Sequence, residues 1–410
     1  MPPKKILIVA NQSSVHTAGW SKLAAQTDFD FSVFCLHYGA PVAPPARFKY
    51  FYPFHYLRMS EGFKPAANNH AIWPLPFLPL FARALNGFKT MLLGRRAYKT
   101  SFGHNTCALN ALIDRIKPDI VHSMDFQQAG YLVARAKAAY KGQFPTWIAT
   151  NWGSDIYYFN QFADHKPEIA RVLAGADYYS CECERDVCLA RDTGYQGRVL
   201  PVFPNSGGYD TAAIESRRNA VKPSARRIIL VKGYQHFAGR ALTALDALER
   251  IADLLRGYKV IVFSGFACPD VIARANQLAQ DGIMDIECLP YLSKDAMMDY
   301  FAQARVYLGV SISDAISTSL LESIVHGTFP IQTDTSCANE WVTDGETGFI
   351  IPPDDVAYIA AKVADALTND ALVDDAAAKN WVTAVERLDM TVLRAKIDAF
   401  YKQALTGDTL

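Results

Sequence analysis

The stretch that most constrains this chain runs over residues 313–334. It follows an apolar segment, residues 306–312, which is short enough for a strand and too uniformly apolar for an exposed surface. Ser317 and Thr318 are predicted to cap a helix with leucine, isoleucine and valine on one face, and Gly327 is predicted to end it. A strand, a polar turn and a helix in this order direct free backbone N–H groups at an anion. The stretch therefore predicts an anion site on an α/β sheet.

Two carboxylates bracket this turn, since Asp314 and Glu322 are separated by seven residues. If Asp314 lies in the loop and Glu322 in the first turns of the helix, both face the place where the anion would bind. A phosphate with a neighbouring sugar hydroxyl would suit such a pocket. The alternative is that Asp314 only forms the turn and Glu322 is a solvated helix residue, and these residues alone leave both interpretations open.

Apolar strands alternate with amphipathic helices along the chain, which predicts an α/β fold of doubly wound parallel sheets. At 410 residues the chain is too long for one core, so we expect two domains. The turn-rich run at 203–210 marks the boundary, giving domains over 1–207 and 208–385 and a closing helical segment over 386–410. The predicted strands lie at residues 6–10, 31–36, 117–125, 146–150, 176–180, 228–231, 260–263, 286–289, 307–310 and 328–331.

Charge and composition exclude several classes of protein. The 41 basic and 41 acidic residues cancel, so we expect no nucleic-acid partner. The eight cysteines are scattered, and the cluster of Cys181, Cys183 and Cys188 lacks a second pair at zinc-ligand spacing. We interpret them as reduced thiols of a cytoplasmic protein. The apolar run at 6–9 is too short for a signal peptide, and no transmembrane helix is expected.

Residues 71–99 form an unusual segment in which apolar and aromatic residues alternate with arginine and lysine and no acidic residue occurs. This pattern suits an interfacial helix against anionic lipid, which would place the protein at the inner face of the membrane. The alternative is a core helix of the first domain whose cations reach solvent along their aliphatic stems.

Polar loops follow several predicted strands. The first, residues 11–19, leads to a helix expected to begin near Trp20 and lacks the G-x-G-x-x-G pattern of dinucleotide-binding proteins. Two others end in Asp125 and in residues 151–155. In open parallel sheets ligands collect at the carboxyl ends of the strands, so we expect these loops to line one binding cleft.

A family resemblance is carried by Asp314-x7-Glu322, by Gly327-Thr-Phe-Pro-Ile-Gln-Thr-Asp334, and by Asp344-Gly-Glu-Thr-Gly-Phe-Ile-Ile-Pro-Pro. This order of motifs resembles the donor site of retaining GT-B glycosyltransferases of family 4, also called glycosyl transferases group 1. The resemblance implies two Rossmann-like domains facing a deep cleft, with an acceptor bound by the first and a nucleotide-sugar donor by the second. The C-terminal helix would cross back to the first domain.

The same resemblance implies hexosyl transfer with retention at the anomeric carbon and no metal requirement. The co-substrate would be a UDP- or GDP-linked sugar, and no other cofactor is expected. Together with residues 71–99, it indicates a glycan or lipid-linked acceptor in cell-envelope or surface polysaccharide synthesis, with a membrane surface as a candidate partner.

Donor-binding roles are carried over by position. Glu322 would accept hydrogen bonds from both ribose hydroxyls, and Asp314 would contact the transferred sugar. Gly19 and Gly239 would let the backbone approach the diphosphate. The diphosphate would bind at Ser317, Thr318 and Ser319, and the base beside Tyr291 and Leu292.

Two departures from the family pattern change the expected catalytic set. Where the family places an arginine and a lysine on the diphosphate, this chain has Gly233 and Ala238, so we predict that Lys232 and Arg240 supply the charge instead. Where many members have H-x-H, the nearest ionisable group is Asp125, which would orient the donor sugar or accept the acceptor's proton, the alternative being a capping loop aspartate. The predicted acceptor site comprises His16, His122, Gly153, Ser154 and Asp155, with His16 also open to a purely structural role.

Two other functions stay open on the sequence. A nucleotide-sugar epimerase can share the two-domain architecture, but it needs acids and bases around the sugar ring. A non-catalytic sugar-nucleotide sensor would explain the loss of the histidine and of the standard cation pair.

Overall fold

The computed structural model describes residues 2–37, 39–54, 68–73 and 95–407, with the side chains of 54, 73 and 95–104 left aside. The chain divides into two compact units at Gly207/Gly208, within the turn-rich run. The first unit comprises Met1–Gly207 and Arg394–Leu410, and the second comprises Gly208–Leu393. The segment that returns to the first unit thus begins at Arg394, later than residue 386.

The first unit is built on an eight-stranded sheet in which every strand pairs in parallel, in the order β4-β3-β2-β1-β5-β6-β7-β8. Its strands are β1 (Lys5–Ala10), β2 (Asp30–Cys35), β3 (Lys49–Phe54), β4 (Asn69–Trp73), β5 (Ile120–Met124), β6 (Thr146–Thr150), β7 (Tyr178–Ser180) and β8 (Arg198–Val199). Its helices are α1 (Val15–Ala24), α2 (Arg95–Ile116), α3 (Tyr131–Ala139), α4 (Ser154–Tyr157), α5 (Lys166–Gly175) and α6 (Glu184–Asp192), with short turns at Phe126–Gly130 and Phe159–Gln161.

The second unit has a six-stranded parallel sheet in the order β11-β10-β9-β12-β13-β14. Its strands are β9 (Ile228–Lys232), β10 (Lys259–Phe263), β11 (Ile286–Cys288), β12 (Ala304–Gly309), β13 (Phe329–Thr333) and β14 (Phe349–Ile351). Its helices are α7 (Thr211–Arg218), α8 (Ala241–Glu249), α9 (Pro269–Gln280), α10 (Lys294–Gln303), α11 (Thr318–His326), α12 (Val356–Thr368) and α13 (Asp370–Leu388). Short 3-10 turns lie at Pro223–Ala225, Ala252–Leu255, Asp334–Ser336 and Ala338–Glu340, and α14 (Met390–Thr406) continues from this unit into the first.

These two parallel sheets confirm the predicted α/β fold class. Strands β1 and β12 are buried along almost their whole length, which is why the sequence reads there as continuous apolar runs. In each sheet the strand order reverses at one point, between β1 and β5 in the first unit and between β9 and β12 in the second. Ligands of open α/β sheets bind at the carboxyl ends of the strands beside such a reversal.

The first helix departs from the prediction. It begins at Val15, not near Trp20, because the Ser14 hydroxyl accepts a hydrogen bond from the N–H of His16 and caps the helix earlier. Gly19 therefore lies inside a helix, and the expected glycine-containing loop ends before it.

The cationic segment 71–99 falls largely outside the described residues. Its first three residues belong to strand β4, so a helix over them is wrong, and helix α2 begins at Arg95. Residues 74–94 are among those left undescribed, and the predicted contact with lipid stays a prediction. Within the described ranges, no helix combines the length and apolar character needed to cross a membrane.

Candidate active site

The predicted anion turn lies at the reversal point of the second sheet. Lys232 is the last residue of β9, and the turn formed by residues 313–317 follows β12, the strand beside it. Helix α11 begins directly after this turn and ends at Gly327, whose φ of 69° is the left-handed conformation expected at a helix end. The parallel sheet thus brings together residues that are far apart in the sequence.

Lys232 contacts the turn directly. Its Nζ lies 3.0 Å from Ser317 Oγ and 3.8 Å from Asp314 Oδ2, and its side chain is only 15% exposed. Burial lowers the pKa of Lys232, but Tyr307 and Asp314 raise it by more, so the net shift is upward. The ammonium group therefore stays charged at neutral pH, beside the start of a helix.

Helix α11 leaves its first N–H groups open to a ligand. Ser317 occupies the N-cap position but makes no side-chain capping hydrogen bond, because its hydroxyl faces Lys232 Nζ and Tyr307 Oη, the latter at 3.3 Å. Tyr307 in turn donates to Gln332 Oε1 at 2.9 Å. This buried network fixes the Ser317 side chain, so the positive end of the helix dipole points at an uncapped site.

Glu322 lies on the first turns of α11 with 8% of its surface exposed. Burial raises the pKa of Glu322 to about 7, against the opposing effect of Lys294 and Lys232. Tyr209 is buried nearby, and among the described residues its hydroxyl finds no hydrogen-bond partner. Lys294 Nζ lies 4.8 Å from the Tyr209 ring centroid. A ligand with hydroxyl groups would satisfy both the carboxylate and the tyrosine.

The other predicted donor residues surround the same sheet edge. Asp314 is half-buried and accepts a hydrogen bond from the N–H of Ala315. Thr318 is half-buried and Ser319 buried in the first turn of α11. Tyr291 is 74% exposed and meets Phe266 edge to face, with ring centroids 5.6 Å apart. Leu292 follows it and is half-buried.

Of the two predicted cations, Arg240 does not contact the turn as Lys232 does. Its Nη1 donates to the carbonyl oxygens of His236, Phe237 and Gly239, at 3.0, 3.4 and 2.8 Å. The guanidinium therefore holds the loop after β9 together. Gly239 is required there because a Cβ atom would lie 2.3 Å from the Tyr234 carbonyl oxygen.

In the first unit, Asp125 directly follows β5, a strand at the reversal point of that sheet. Its Oδ1 accepts hydrogen bonds from the N–H groups of Gln128 and Ala129, both at 2.8 Å. Its backbone has φ 86° and ψ 158°, a region that residues other than glycine rarely adopt. Burial raises the pKa of Asp125 to about 6, although the two amide hydrogen bonds lower it. The residue is only 8% exposed, so this carboxylate at the strand end is largely buried on a strained backbone.

The loop after β6 supports Asp125. Asp155 accepts hydrogen bonds at Oδ2 from the N–H groups of Phe126 and Trp152, at 2.9 and 2.8 Å. Burial and the neighbouring Asp125 raise the pKa of Asp155 well above its ordinary value. Gly153 has φ 37° and precedes the short helix α4, in which Ser154 is half-buried. Asp155 thus ties two strand-end loops together, and the predicted acceptor residues 153–155 lie beside Asp125.

His122, predicted to bind the acceptor, is instead fully buried in the first unit. Its Nδ1 lies 2.9 Å from the Tyr401 hydroxyl and its Nε2 lies 2.7 Å from Thr150 Oγ1. Tyr401 also accepts from the indole N–H of Trp20, and burial lowers the pKa of His122 to about 3. His122 is therefore neutral, and both of its ring nitrogens are hydrogen-bonded. It helps to pack helix α14 against the sheet and is too buried to contact an acceptor.

His16 and Gly19 lie in helix α1. The His16 ring is half-buried against Trp152, with ring centroids 5.3 Å apart, so it does lie beside the loop after β6. A Cβ atom on Gly19 would lie 2.2 Å from the carbonyl oxygen of Ser206, so packing against residues 206–207 accounts for this glycine. Packing thus explains a glycine at position 19 without the predicted diphosphate contact, which stays a prediction.

Sequence reasoning missed Tyr209, Lys294, Tyr307 and His236 at these sites. Tyr209 lies in the turn-rich boundary run and Tyr307 in a uniformly apolar strand, so neither context marks a functional side chain. His236 could have been recognised from the sequence, since it lies between Gly233 and Ala238, the two positions where the family pattern has cations. No local pattern identifies Lys294, because only the tertiary fold brings helix α10 near Glu322.

Comparisons with known proteins agree with this geometry. Residues 224–383 match the family described as Glycosyl transferases group 1, and residues 82–181 match the one described as Glycosyl transferase 4-like. The first match contains the whole anion turn with Lys232 and Glu322. No curated protein sequence matches the chain significantly.

Solved structures match over nearly the full length. A sucrose-phosphate synthase from Thermosynechococcus elongatus is 12% identical with a TM-score of 0.70, over 99% of this chain and 100% of that one. HepE from Anabaena, solved in complex with UDP-glucose, is 13% identical with a TM-score of 0.64, over 97% and 99%. A glycosyltransferase from Rickettsia africae is 13% identical with a TM-score of 0.67, over 100% of both chains. At such identities the likeness concerns the fold.

Proposed function

We propose that this chain, which is a glycosyltransferase of the GT-B fold, moves a sugar from a nucleotide diphosphate sugar to a hydroxyl acceptor and retains the anomeric configuration. The observation that carries the proposal is the uncapped start of helix α11 with the half-buried, charged Lys232 beside it. A diphosphate fits this combination of helix dipole and cation. HepE, of the same fold, was solved with UDP-glucose, which supports a nucleotide-sugar donor for this chain.

The donor half of the proposed site lies in the second unit. Lys232 and the N–H groups at the start of α11 would bind the diphosphate and stabilise the charge that develops as it leaves. The Glu322 carboxylate would accept hydrogen bonds from both ribose hydroxyls, each contributing about 1.5–3 kcal/mol. Asp314, shorter by one methylene than the glutamate of the family pattern, would contact the transferred sugar.

The acceptor half lies in the first unit. Asp125 would accept the hydrogen bond of the acceptor hydroxyl, and its pKa of about 6 suits a group that takes a proton near neutral pH. In the step, the bond from the anomeric carbon to the diphosphate oxygen breaks and the bond to the acceptor oxygen forms. The hydroxyl proton passes to Asp125. The acceptor would be a glycan or lipid-linked hydroxyl of the cell envelope or surface polysaccharides, which the family resemblance and residues 71–99 together support.

A panel of UDP- and GDP-linked sugars, with the free nucleotides, tests the donor by thermal shift. A donor at about a hundred times its dissociation constant should stabilise the protein by about 2.7 kcal/mol. With the donor known, NMR of the product made on a glycan acceptor should show the anomeric configuration of the donor. An inverted product would overturn the retaining mechanism, and the absence of any nucleotide binding would overturn the whole proposal.

Two controls separate this proposal from its alternatives. Transfer should continue after extensive treatment with a metal chelator, since the proposed charge stabilisation comes from Lys232 and helix α11. Incubating the donor alone should produce no epimer, because the donor turn offers no set of acids and bases around a sugar ring. An epimer formed without acceptor would instead support the epimerase.

A further inference from the structure

The loop after β9, residues 233–240, contains an imidazole that the site described so far does not use. We propose that His236 is a further donor-binding residue, whose Nε2–H donates a hydrogen bond to a β-phosphate oxygen of the nucleotide sugar. This inference rests on the proposed function, because it adds a ligand to the same diphosphate site.

The two ring nitrogens of His236 have different tasks. Its Nδ1 accepts the N–H groups of Ala238 and Gly239, at 3.1 and 3.4 Å. A nitrogen that receives two N–H donors must present its lone pair, so the neutral ring carries its proton on Nε2. The ring is exposed, and its Nε2–H is thus a donor whose tautomer is set by the backbone.

The loop is attached directly to the chain that leads into the anion turn. The N–H of Arg240 donates to the Val310 carbonyl at 2.9 Å, and the N–H of Ile312 donates to the Ala238 carbonyl at 2.8 Å. These two bonds join residues 238–240 of the loop to residues 310–312, and Ile312 lies two residues before Asp314. His236 is therefore held beside the proposed diphosphate turn by main-chain hydrogen bonds.

Electrostatics agree with that position. Burial lowers the pKa of His236, Lys232 and Arg240 lower it further, and Asp314 raises it. The ring thus shares the field of Lys232 and Asp314 and stays neutral at pH 7. A neutral donor adds a hydrogen bond to an anion without repelling the nearby ammonium group.

This role also explains how the chain could bind a diphosphate without the second cation of the family pattern. Arg240 directs its Nη1 to three carbonyl oxygens of the loop and so stiffens the segment that carries His236. In place of an arginine and a lysine on the phosphates, the chain would use the half-buried Lys232 and His236, whose ring is fixed by backbone N–H groups. Preorganised donors of this kind need little rearrangement when the leaving group gains charge.

Two substitutions separate the tasks of the two nitrogens. In His236→Asn the side-chain oxygen can replace Nδ1 as acceptor for the loop amides, but nothing replaces Nε2–H. In His236→Gln the amide nitrogen can replace Nε2–H, while the loop amides lose their acceptor. For wild type and each variant, calorimetry would give the dissociation constants of a nucleoside diphosphate and of the nucleoside monophosphate with the same base. His165→Asn in the first unit is the matched control.

His236→Asn should weaken diphosphate binding about tenfold or more and leave monophosphate binding unchanged. His236→Gln should retain more of the diphosphate preference than His236→Asn. In the wild-type protein, ¹⁵N NMR should show the neutral Nε2–H tautomer for this ring. Wild-type diphosphate binding in His236→Asn, an equal loss for both nucleotides, or an Nδ1–H tautomer would each overturn this inference. Failure of the wild-type protein to bind any nucleotide would instead overturn the proposed function.

Discussion

Each unit has an aspartate-bearing turn at the reversal point of its sheet. The two turns differ in whether a side chain of the turn accepts the backbone N–H groups that follow. In the first unit the Asp125 carboxylate accepts the N–H groups of Gln128 and Ala129, three and four residues further on. In the second unit Ser317 leaves the N–H groups of α11 uncapped and turns its hydroxyl to Lys232. The first turn contains its own anion, whereas the second leaves the start of its helix without a side-chain cap.

This difference teaches how one architecture provides two kinds of site. A carboxylate already bound to backbone amides cannot share them with a phosphate, so the turn at Asp125 suits a hydroxyl that donates to the carboxylate. An uncapped helix start with a charged lysine suits a diphosphate. The following predictions test this contrast, from the largest expected effect to the smallest.

Removing the built-in anion of the first turn should have the largest effect. Asp125→Ala and Asp125→Gly should each lower the transfer rate by about 10²–10⁴-fold, since both delete the proposed base. Their stabilities should differ, because glycine adopts the φ of 86° readily and alanine does not. We expect Asp125→Gly to be more stable than Asp125→Ala by about 1–3 kcal/mol in urea unfolding. Equal stabilities would show that this backbone conformation stores no strain.

Removing the charge beside the open turn should have the next largest effect. Lys232→Gln should lower kcat by about 10²–10³-fold, the usual loss when one group that stabilises a developing oxyanion is removed. Lys259→Gln is the control, since Lys259 lies at the start of the neighbouring strand β10 and pairs only with Glu287 among the described residues. Equal activity of the two variants in steady-state kinetics would remove Lys232 from the catalytic site.

Titrating the open turn should give the smallest effect. The pKa of Glu322, about 7, is above its ordinary value, so the folded state holds this proton more tightly than the unfolded state. The stability of the free protein should therefore fall as pH rises from about 4.5 to about 7. Above that range Glu322→Gln should be more stable than wild type, by up to about 3 kcal/mol in urea unfolding at pH 8.

Nucleotide binding should show the opposite trend, because the ionised Glu322 is the better acceptor for ribose hydroxyls. Affinity should increase as pH rises through about 7, and Glu322→Gln should weaken binding by about 10–100-fold. A 2′-deoxynucleotide should show a weaker pH dependence than the ribonucleotide. An identical pH dependence for both would place the ribose elsewhere.

Much of the fold was predictable because buried positions in helices and strands are apolar residues at regular spacing. Helix α11 shows its apolar face and its terminal glycine in the sequence, and β12 shows its burial as an apolar run. Strands β3, β4, β8 and β14 were missed, β4 because residues 71–73 were assigned to the predicted interfacial helix. Strand β3 contains Pro53, and β8 and β14 have two and three residues, too few to show a period.

The sequence by itself determined the α/β class and the strand, turn and helix that carry Asp314 and Glu322, because backbone geometry and burial act over neighbouring residues. Only the tertiary structure decided that Lys232 contacts the turn while Arg240 holds its own loop. It also decided that His122 contacts Tyr401 of helix α14 and that Asp155 joins the loops after β5 and β6. Hydrogen-bond partners depend on which strands become neighbours, and strand order joins residues far apart in the sequence, such as Lys232 and Ser317, which are 85 positions apart.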